Sequence, residues 1–429
     1  MSATSRLGVF ADREFLALSG TAFARAQAYS TILIALALFA DAYQTTGLVE
    51  GLFGTAFAAV QLVIVLPLGR LVDTRNAKHF LLVGLLVNVA TFVGFALVSN
   101  AYEVILMRAL QGFGASLLWI TGSTVVGEIS PDGARGKWLG SYNQVGALSS
   151  FAGDLVGGIL LHTFHTAVTF AVLSVISLVA FGLVYVFLRE NPGGRKDPEE
   201  ASGLETFGNL LRRPMVNSLV TFRFAFSVGK MAVILFLPIY ARTEFGVSAF
   251  AIGLLLAGGK LVKAALQGWM GDLTDRLGNE HYFVLVGALT YAVGTAAIPL
   301  AGPAQSMLPA FTLGSGEFAL PIDGAFLTMF VAYAIIGVAD SVRLPASMSL
   351  FVMEGERFDS VASAMSLRSI SWKVGQVVGP VVVGLIKDAL GMAIAFWTAA
   401  GFIVVASAAF LAMYRHGRDG GGATHADAD

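Results

Sequence analysis

The sequence predicts an all-α membrane protein of twelve transmembrane helices arranged as two pseudo-symmetric six-helix bundles. Three observations carry this prediction. Of the 429 residues, 56% are hydrophobic and only 13% charged, with a mean hydropathy of +0.75, whereas a soluble domain carries about 25% charged residues. Twelve apolar runs are each long enough to cross the hydrocarbon core as a helix, which takes about 20 residues. The Gly-x-x-x-Asp stretch after the second run, at Gly69–Asp73, also recurs after the eighth, at Gly271–Asp275.

The runs cover 21–41, 48–68, 79–98, 102–123, 138–161, 166–188, 215–240, 249–270, 282–301, 323–348, 361–386 and 391–413. Helices are the default, because every backbone polar group must be satisfied within the segment in lipid. The lengths exceed those of barrel strands. Residues 1–20 are mixed and polar with no cleavable signal pattern, so the first span is expected to direct insertion. The chain is then expected to divide into a cytoplasmic N-terminal segment (1–20), a six-helix bundle (21–189), a linker (190–213), a second bundle (214–414) and a disordered tail (415–429). Within the linker, Asn191-Pro192-Gly193-Gly194 precedes the charge run Arg195-Lys196-Asp197-Pro198-Glu199-Glu200. The stretch 303–322, broken by Pro303, Pro309 and Pro321, reads as an outer loop peculiar to the second half.

Orientation follows from the distribution of Lys and Arg. With both termini in the cytoplasm, seventeen basic residues fall inside, including Arg70, Arg75, Lys78, Arg135, Lys137 and Arg276. Only Arg242 and Lys387 fall outside, where Asp41 and Glu50 read as solvated loop residues. The expected location is the cell membrane.

The repeated stretches are Gly69-Arg70-Leu71-Val72-Asp73-Thr74-Arg75-Asn76-Ala77-Lys78 and Gly271-Asp272-Leu273-Thr274-Asp275-Arg276-Leu277-Gly278. Together with twelve spans and a central linker, they resemble the major facilitator superfamily over about residues 15–414. The first matches the family's Gly-x-x-x-Asp-Arg-x-Gly-Arg-Arg pattern at Gly69, Asp73 and Lys78, and departs at Thr74, Asn76 and Ala77. The second matches at Gly271, Asp275, Arg276 and Gly278, and departs at Asn279 and Glu280. Span 4 adds Arg108-Ala109-Leu110-Gln111-Gly112-Phe113-Gly114, similar to the family's Arg-x-x-x-Gly-x-Gly. In span 5, where proton-driven exporters of the family carry Gly-Pro-x-x-Gly-Gly, this chain reads Gly153-Asp154-Leu155-Val156-Gly157-Gly158.

The resemblance implies roles for these loops. Gly69 would permit close helix approach. Asp73 would meet the cytoplasmic start of span 11 near Ser360, and Asp275, with Gly271 and Arg276 beside it, the start of span 5 near Gly136. A carboxylate at a helix N-terminus is favoured by about 0.3–1 kcal/mol, so both contacts would hold the cytoplasmic side shut. The bland alternative is that these residues end helices and mark the membrane surface.

Charges inside the spans carry the chemistry. Eight basic residues lie at membrane depth: Arg108, Arg223, Lys230, Lys260, Lys263, Arg343, Arg368 and Lys373. The acids at similar depth are Asp154 and Asp340. Each such charge is costly in lipid and must face a cavity or a partner. Arg108 and Asp154 sit at matching depths on antiparallel spans, so they are expected to pair. Asp154 then reads as a proton carrier or as a counter-ion. Asp340 and Arg343 share a helical face at i,i+3, although Arg343 can instead snorkel to the headgroups. Lys230, Lys260, Arg368 and Lys373 lack acids and are expected to line the substrate pathway and bind an anionic group.

Several classes are set aside. The absence of cysteine excludes disulfides, thiolate metal sites and Cys nucleophiles. No nucleotide-binding loop or Ser/His/Asp set appears, which argues against ATP drive and catalysis, and no cofactor is implied. His162 and His165, at the end of span 5, read as surface residues, not metal ligands. A net charge of −1 gives no reason to expect nucleic acid. The expected function is a monomeric secondary transporter of a small anionic or anion-bearing solute. It would work in membrane lipid by alternating access, coupled to protons or a counter-anion, with substrate bound between the halves. The alternatives are a proton-driven exporter of drugs or amphiphiles, a lipid flippase, and a non-transporting sensor.

Overall fold

The computed structural model describes residues 8–131, 133–192, 204–358 and 360–422. Arg6, the linker charge run Arg195 to Glu200 and residues 423–429 of the expected tail lie outside them. Among the described residues, twelve helices are long and apolar enough to cross a membrane. They are span 1 (Arg13–Ala42), span 2 (Gly47–Thr74), span 3 (Ala77–Leu97), span 4 (Ala101–Ile129), span 5 (Arg135–Thr163), span 6 (Thr166–Phe187), span 7 (Pro214–Phe245), span 8 (Ala249–Leu277), span 9 (Glu280–Met307), span 10 (Gly324–Glu356), span 11 (Ser363–Leu390) and span 12 (Met392–Arg415). A helix from Leu204 to Leu211 precedes span 7.

The helices overrun the apolar runs, because polar residues at the ends cap them. Span 1 starts eight residues early, at Arg13, where the Asp12 carboxylate accepts the Phe15 N–H at 2.9 Å and satisfies an orphan donor of the first turn. Asn100 does the same for span 4, taking the N–H groups of Tyr102 and Glu103, and Asp323 for span 10, taking that of Phe326. Helix also continues beyond span 12 to Gly422, into the stretch where a tail was expected.

The two repeated stretches are mostly helix. Span 2 runs through Asp73 to Thr74, and Asn76 already caps span 3 by accepting the Lys78 N–H at 3.0 Å. Span 8 runs through Asp275 to Leu277. Gly278 (φ 63°) and Asn279 (φ 59°) then turn the chain in the left-handed region, which these residue types tolerate best.

Prolines shape the second half. Span 7 contains a π-helical turn at Ala232–Phe236. Pro238 follows it; its ring would clash with the carbonyl four residues back, at Ile234, in a regular helix, and the widened turn accommodates it. In the 303–322 stretch the expected loop is only partly loop. Span 9 continues past Pro299 through a 3₁₀ turn and then a helix at Ala301–Met307. Pro303 sits in that helix's first turn, where no N–H is needed. Strands β1 (Phe311–Leu313) and β2 (Leu320–Ile322) then form an antiparallel hairpin, Thr312 opposite Pro321.

The contacts divide the chain into two compact units that do not coincide with its two halves. Unit 1 comprises 1–45, 52–201 and 242–257; unit 2 comprises 46–51, 202–241 and 258–429. In unit 1, spans 1 and 5 cross closely. A Cβ on Gly153 would lie 2.4 Å from the Gln27 carbonyl oxygen, Thr31 donates to the Gly153 carbonyl at 3.0 Å, and Ser30 and Ser150 share a hydrogen bond of 2.7 Å. The end of span 7 belongs to this unit, where Arg242 pairs with Asp41 at 2.8 Å. Asp41, expected as a solvated loop residue, is thus a partly exposed partner of an ion pair.

In unit 2 the start of span 2 packs on the end of span 11. A Cβ on Gly51 would lie 2.4 Å from the Pro380 oxygen, and one on Gly384 2.0 Å from the Gly47 oxygen. The Asp388 carboxylate accepts the N–H groups of Gly47 and Leu48 at 2.6 and 2.8 Å, capping span 2. Lys387 donates to both oxygens of Glu50 at 2.6 and 2.7 Å. Glu50 is 1% exposed, so it too departs from the solvated position expected of it. The apolar interior of this unit joins Phe222, Phe226, Tyr291 and Phe410 in ring contacts of 5.0–5.8 Å.

Candidate functional site

The intramembrane charges of spans 7, 10 and 11 gather within unit 2. Span 7 supplies Arg223 and Lys230, seven residues apart and so on one helical face. Span 10 supplies Asp340 and Arg343. Span 11 supplies Arg368 and Trp372, one turn apart, and is held against span 7 where Ser227 donates to the Trp372 carbonyl at 2.8 Å. The glycine at 375 makes that approach possible, since a Cβ there would lie 2.5 Å from the Ser227 Cβ.

Asp340 is the hub. Its Oδ2 pairs with the Lys230 ammonium, and its Oδ1 accepts from Arg343 at 3.1 Å. Lys230 was expected to lack an acid; Asp340 reaches it from another helix. The i,i+3 pair with Arg343 is present, and Arg343 turns inward at 1% exposure instead of snorkelling. Its guanidinium lies 3.9 Å from the centre of the Phe226 ring. Arg223 lies over Trp372 at 4.9 Å, and the Lys230 ammonium 5.0 Å from Tyr291 and 5.9 Å from Trp372. Ring faces attract cations and offset part of their desolvation.

The cations outnumber the acid. The charges that bear on Arg223 are those of Arg368, Arg343 and Asp340; those on Lys230 are Asp340, Arg343 and Lys263. Three guanidinium groups keep buried N–H donors without a hydrogen-bond partner: Arg223 Nε and Nη1, Arg343 Nε and Nη1, and Arg368 Nε. Buried polar groups are as a rule hydrogen-bonded. Lys260 and Lys373, also expected on the pathway, are half-buried in the same unit.

Unit 1 holds Arg108 and Asp154, both buried at 1% and 0% exposure. The expected pair between them is not among the ion pairs of the described residues. Arg108 instead donates through Nε to the Phe53 carbonyl at 2.8 Å and through Nη1 to Gln111, with its guanidinium 4.4 Å from the centre of the Phe57 ring. The glycine at 112 brings the two spans together, a Cβ there falling 2.4 Å from the Phe57 oxygen. Gln111 lies at i,i+3 from Arg108, a signal that sequence inspection could have used; the Phe53 carbonyl is 55 residues away and has none.

The repeated stretches lie at helix ends, with Asp73 half-buried and Asp275 and Arg276 exposed. A Cβ on Gly69 would meet no atom within 4 Å and one on Gly271 only Pro345. Lys78, the basic end of the first stretch, pairs with Glu190 at 2.9 Å. That hydrogen bond, with one from Asn76, holds the Glu190 carboxyl below the usual range. Arg189 beside it pairs with Glu14 at 2.7 Å. Among the described residues no cluster of His, Asp and Glu is placed to hold a metal ion.

Known proteins share this architecture. The profile of the Major Facilitator Superfamily matches residues 18–318 and 223–427. An uncharacterised MFS-type transporter of Methanocaldococcus jannaschii is 24% identical over 374 residues, 86% of this chain and 90% of that protein. The multidrug resistance protein MdtG of Citrobacter koseri is 24% identical over 340 residues, covering 78% and 77%. In fold, a bacterial homologue of the human lysosomal transporter Spinster matches with a TM-score of 0.77 at 16% identity, over 97% of this chain and 98% of that one. The chain belongs to the major facilitator superfamily and is a multi-pass membrane transporter.

Proposed function

We propose that the protein is a secondary transporter of the cell membrane that moves a small anionic or anion-bearing solute by alternating access. One observation carries this reading: Arg223, Arg343 and Arg368 keep buried N–H donors without partners, beside a single carboxylate already engaged by Lys230 and Arg343. A solute carboxylate or phosphate supplies the missing acceptors, and charge-assisted hydrogen bonds of this kind are among the strong ones. Lys230, Lys260, Arg368 and Lys373 line the pathway in this proposal. Arg108 orders the opposite half, and Asp154 is the candidate proton carrier if protons provide the drive. Asp73 and Asp275, with Gly69, Gly271 and Arg276, close the cytoplasmic side. The protein acts as a monomer in lipid, with both termini in the cytoplasm.

A second reading, a proton-driven exporter of drugs, draws on the relatives named for multidrug resistance. Purified protein in liposomes separates the two. Labelled succinate, citrate and phosphoenolpyruvate are compared with tetraphenylphosphonium, with and without a pH gradient. Uptake of an anion that Arg223→Gln abolishes and Arg368→Gln weakens supports the proposal. Transport of the lipophilic cation alone overturns it.

A further inference from the structure

The charge balance of the unit 2 cluster points to its mode of coupling, on the reading that the solute is an anion. Arg223, Lys230, Arg343 and Arg368 share one carboxylate, Asp340, whose two oxygens are taken by Lys230 and Arg343. The rings of Phe226, Tyr291 and Trp372 cover three of the cations, and a ring face offsets only a fraction of the cost of dehydrating a cation.

This matters when the site closes. While it is open to one side, water and mobile anions compensate the excess positive charge. In the closed intermediate that any alternating-access cycle must pass, water is expelled and the compensation is lost. An empty site then holds like charges in low dielectric, where their repulsion is strongest. A bound anion restores the balance and supplies acceptors for the unpartnered donors of Arg223, Arg343 and Arg368. We infer that the transporter is an obligatory anion exchanger: the site crosses the closed state readily only when loaded, so one anion enters as another leaves. A symporter would need the empty site to return, and Asp340 brings one negative charge against the four cations Arg223, Lys230, Arg343 and Arg368.

The test uses the full-length protein in liposomes with labelled succinate, citrate and phosphoenolpyruvate as probes. Vesicles preloaded with the same unlabelled anion are expected to take up label at least tenfold faster than vesicles without it. Efflux into anion-free medium should be correspondingly slow. Replacing one excess cation, Arg368→Gln, lowers the cost of the empty closed state, and the preloading ratio should fall several-fold. Equal uptake into loaded and empty vesicles, or uphill uptake driven by a pH gradient into empty vesicles, overturns exchange and leaves the anion reading standing. Transport of none of the three probes overturns both.

Discussion

Replacing Lys387 by Met should loosen the contact between spans 2 and 11 far more than replacing its partner. Glu50 is 1% exposed and accepts from the Lys387 ammonium at both carboxylate oxygens, whereas the Lys387 side chain is 17% exposed. Lys387→Met therefore takes the ion-pair cation away from a buried carboxylate. Removing one partner of a buried ion pair costs about 3–5 kcal/mol, and each 1.4 kcal/mol is roughly tenfold in an equilibrium constant. The packed arrangement should open roughly 10²- to 4 × 10³-fold more often. Glu50→Gln leaves a cation that reaches water, and the effect is smaller. The double variant removes both charges and should return close to the wild type. The Gly47 and Leu48 amides report the opening directly, because their N–H groups are held by Asp388. Hydrogen exchange of peptides covering 46–52, in detergent or nanodiscs, measures it. Exchange of Lys387→Met within threefold of wild type, or a double variant that exchanges as fast as Lys387→Met, would refute the reasoning.

Three further outcomes are expected. Arg108→Gln leaves the Phe53 carbonyl and Gln111 without their donor, which costs about 1–3 kcal/mol per buried group. Arg108→Lys should recover only part of it, since an ammonium lacks the guanidinium fork; thermal unfolding in detergent ranks the three proteins. The depressed Glu190 carboxyl makes a stabilising contribution that is fully present above the usual Glu pKa of about 4.3. It is lost as pH falls through the lower folded value, so wild type and Glu190→Gln should differ in melting temperature at neutral pH and converge in acid. Asp73→Asn removes the charge proposed to hold the cytoplasmic side shut. It should speed labelling of single cysteines on that side, an assay helped by a chain that has no native cysteine. Unchanged labelling and unchanged transport would count against that role of Asp73.

Fold class, span number and the paired turns were legible in the sequence because lipid leaves little choice. A segment of about 20 apolar residues must satisfy its own backbone, so composition alone dictates a helix. The charges that lipid makes costly, Arg108, Lys230, Asp340, Arg343 and Arg368, were visible for the same reason. Their partners were not. The Asp340–Arg343 pair could be read because three residues on a helix are neighbours. Lys230 finds Asp340 across 110 residues, and Glu50 finds Lys387 across 337. Depth alone put Arg108 beside Asp154, yet side-chain direction sent it to Phe53 and Gln111. Sequence hydropathy measures where a residue lies along the membrane normal. Only the tertiary packing sets its angle about the helix axis, and that angle decides which charges meet.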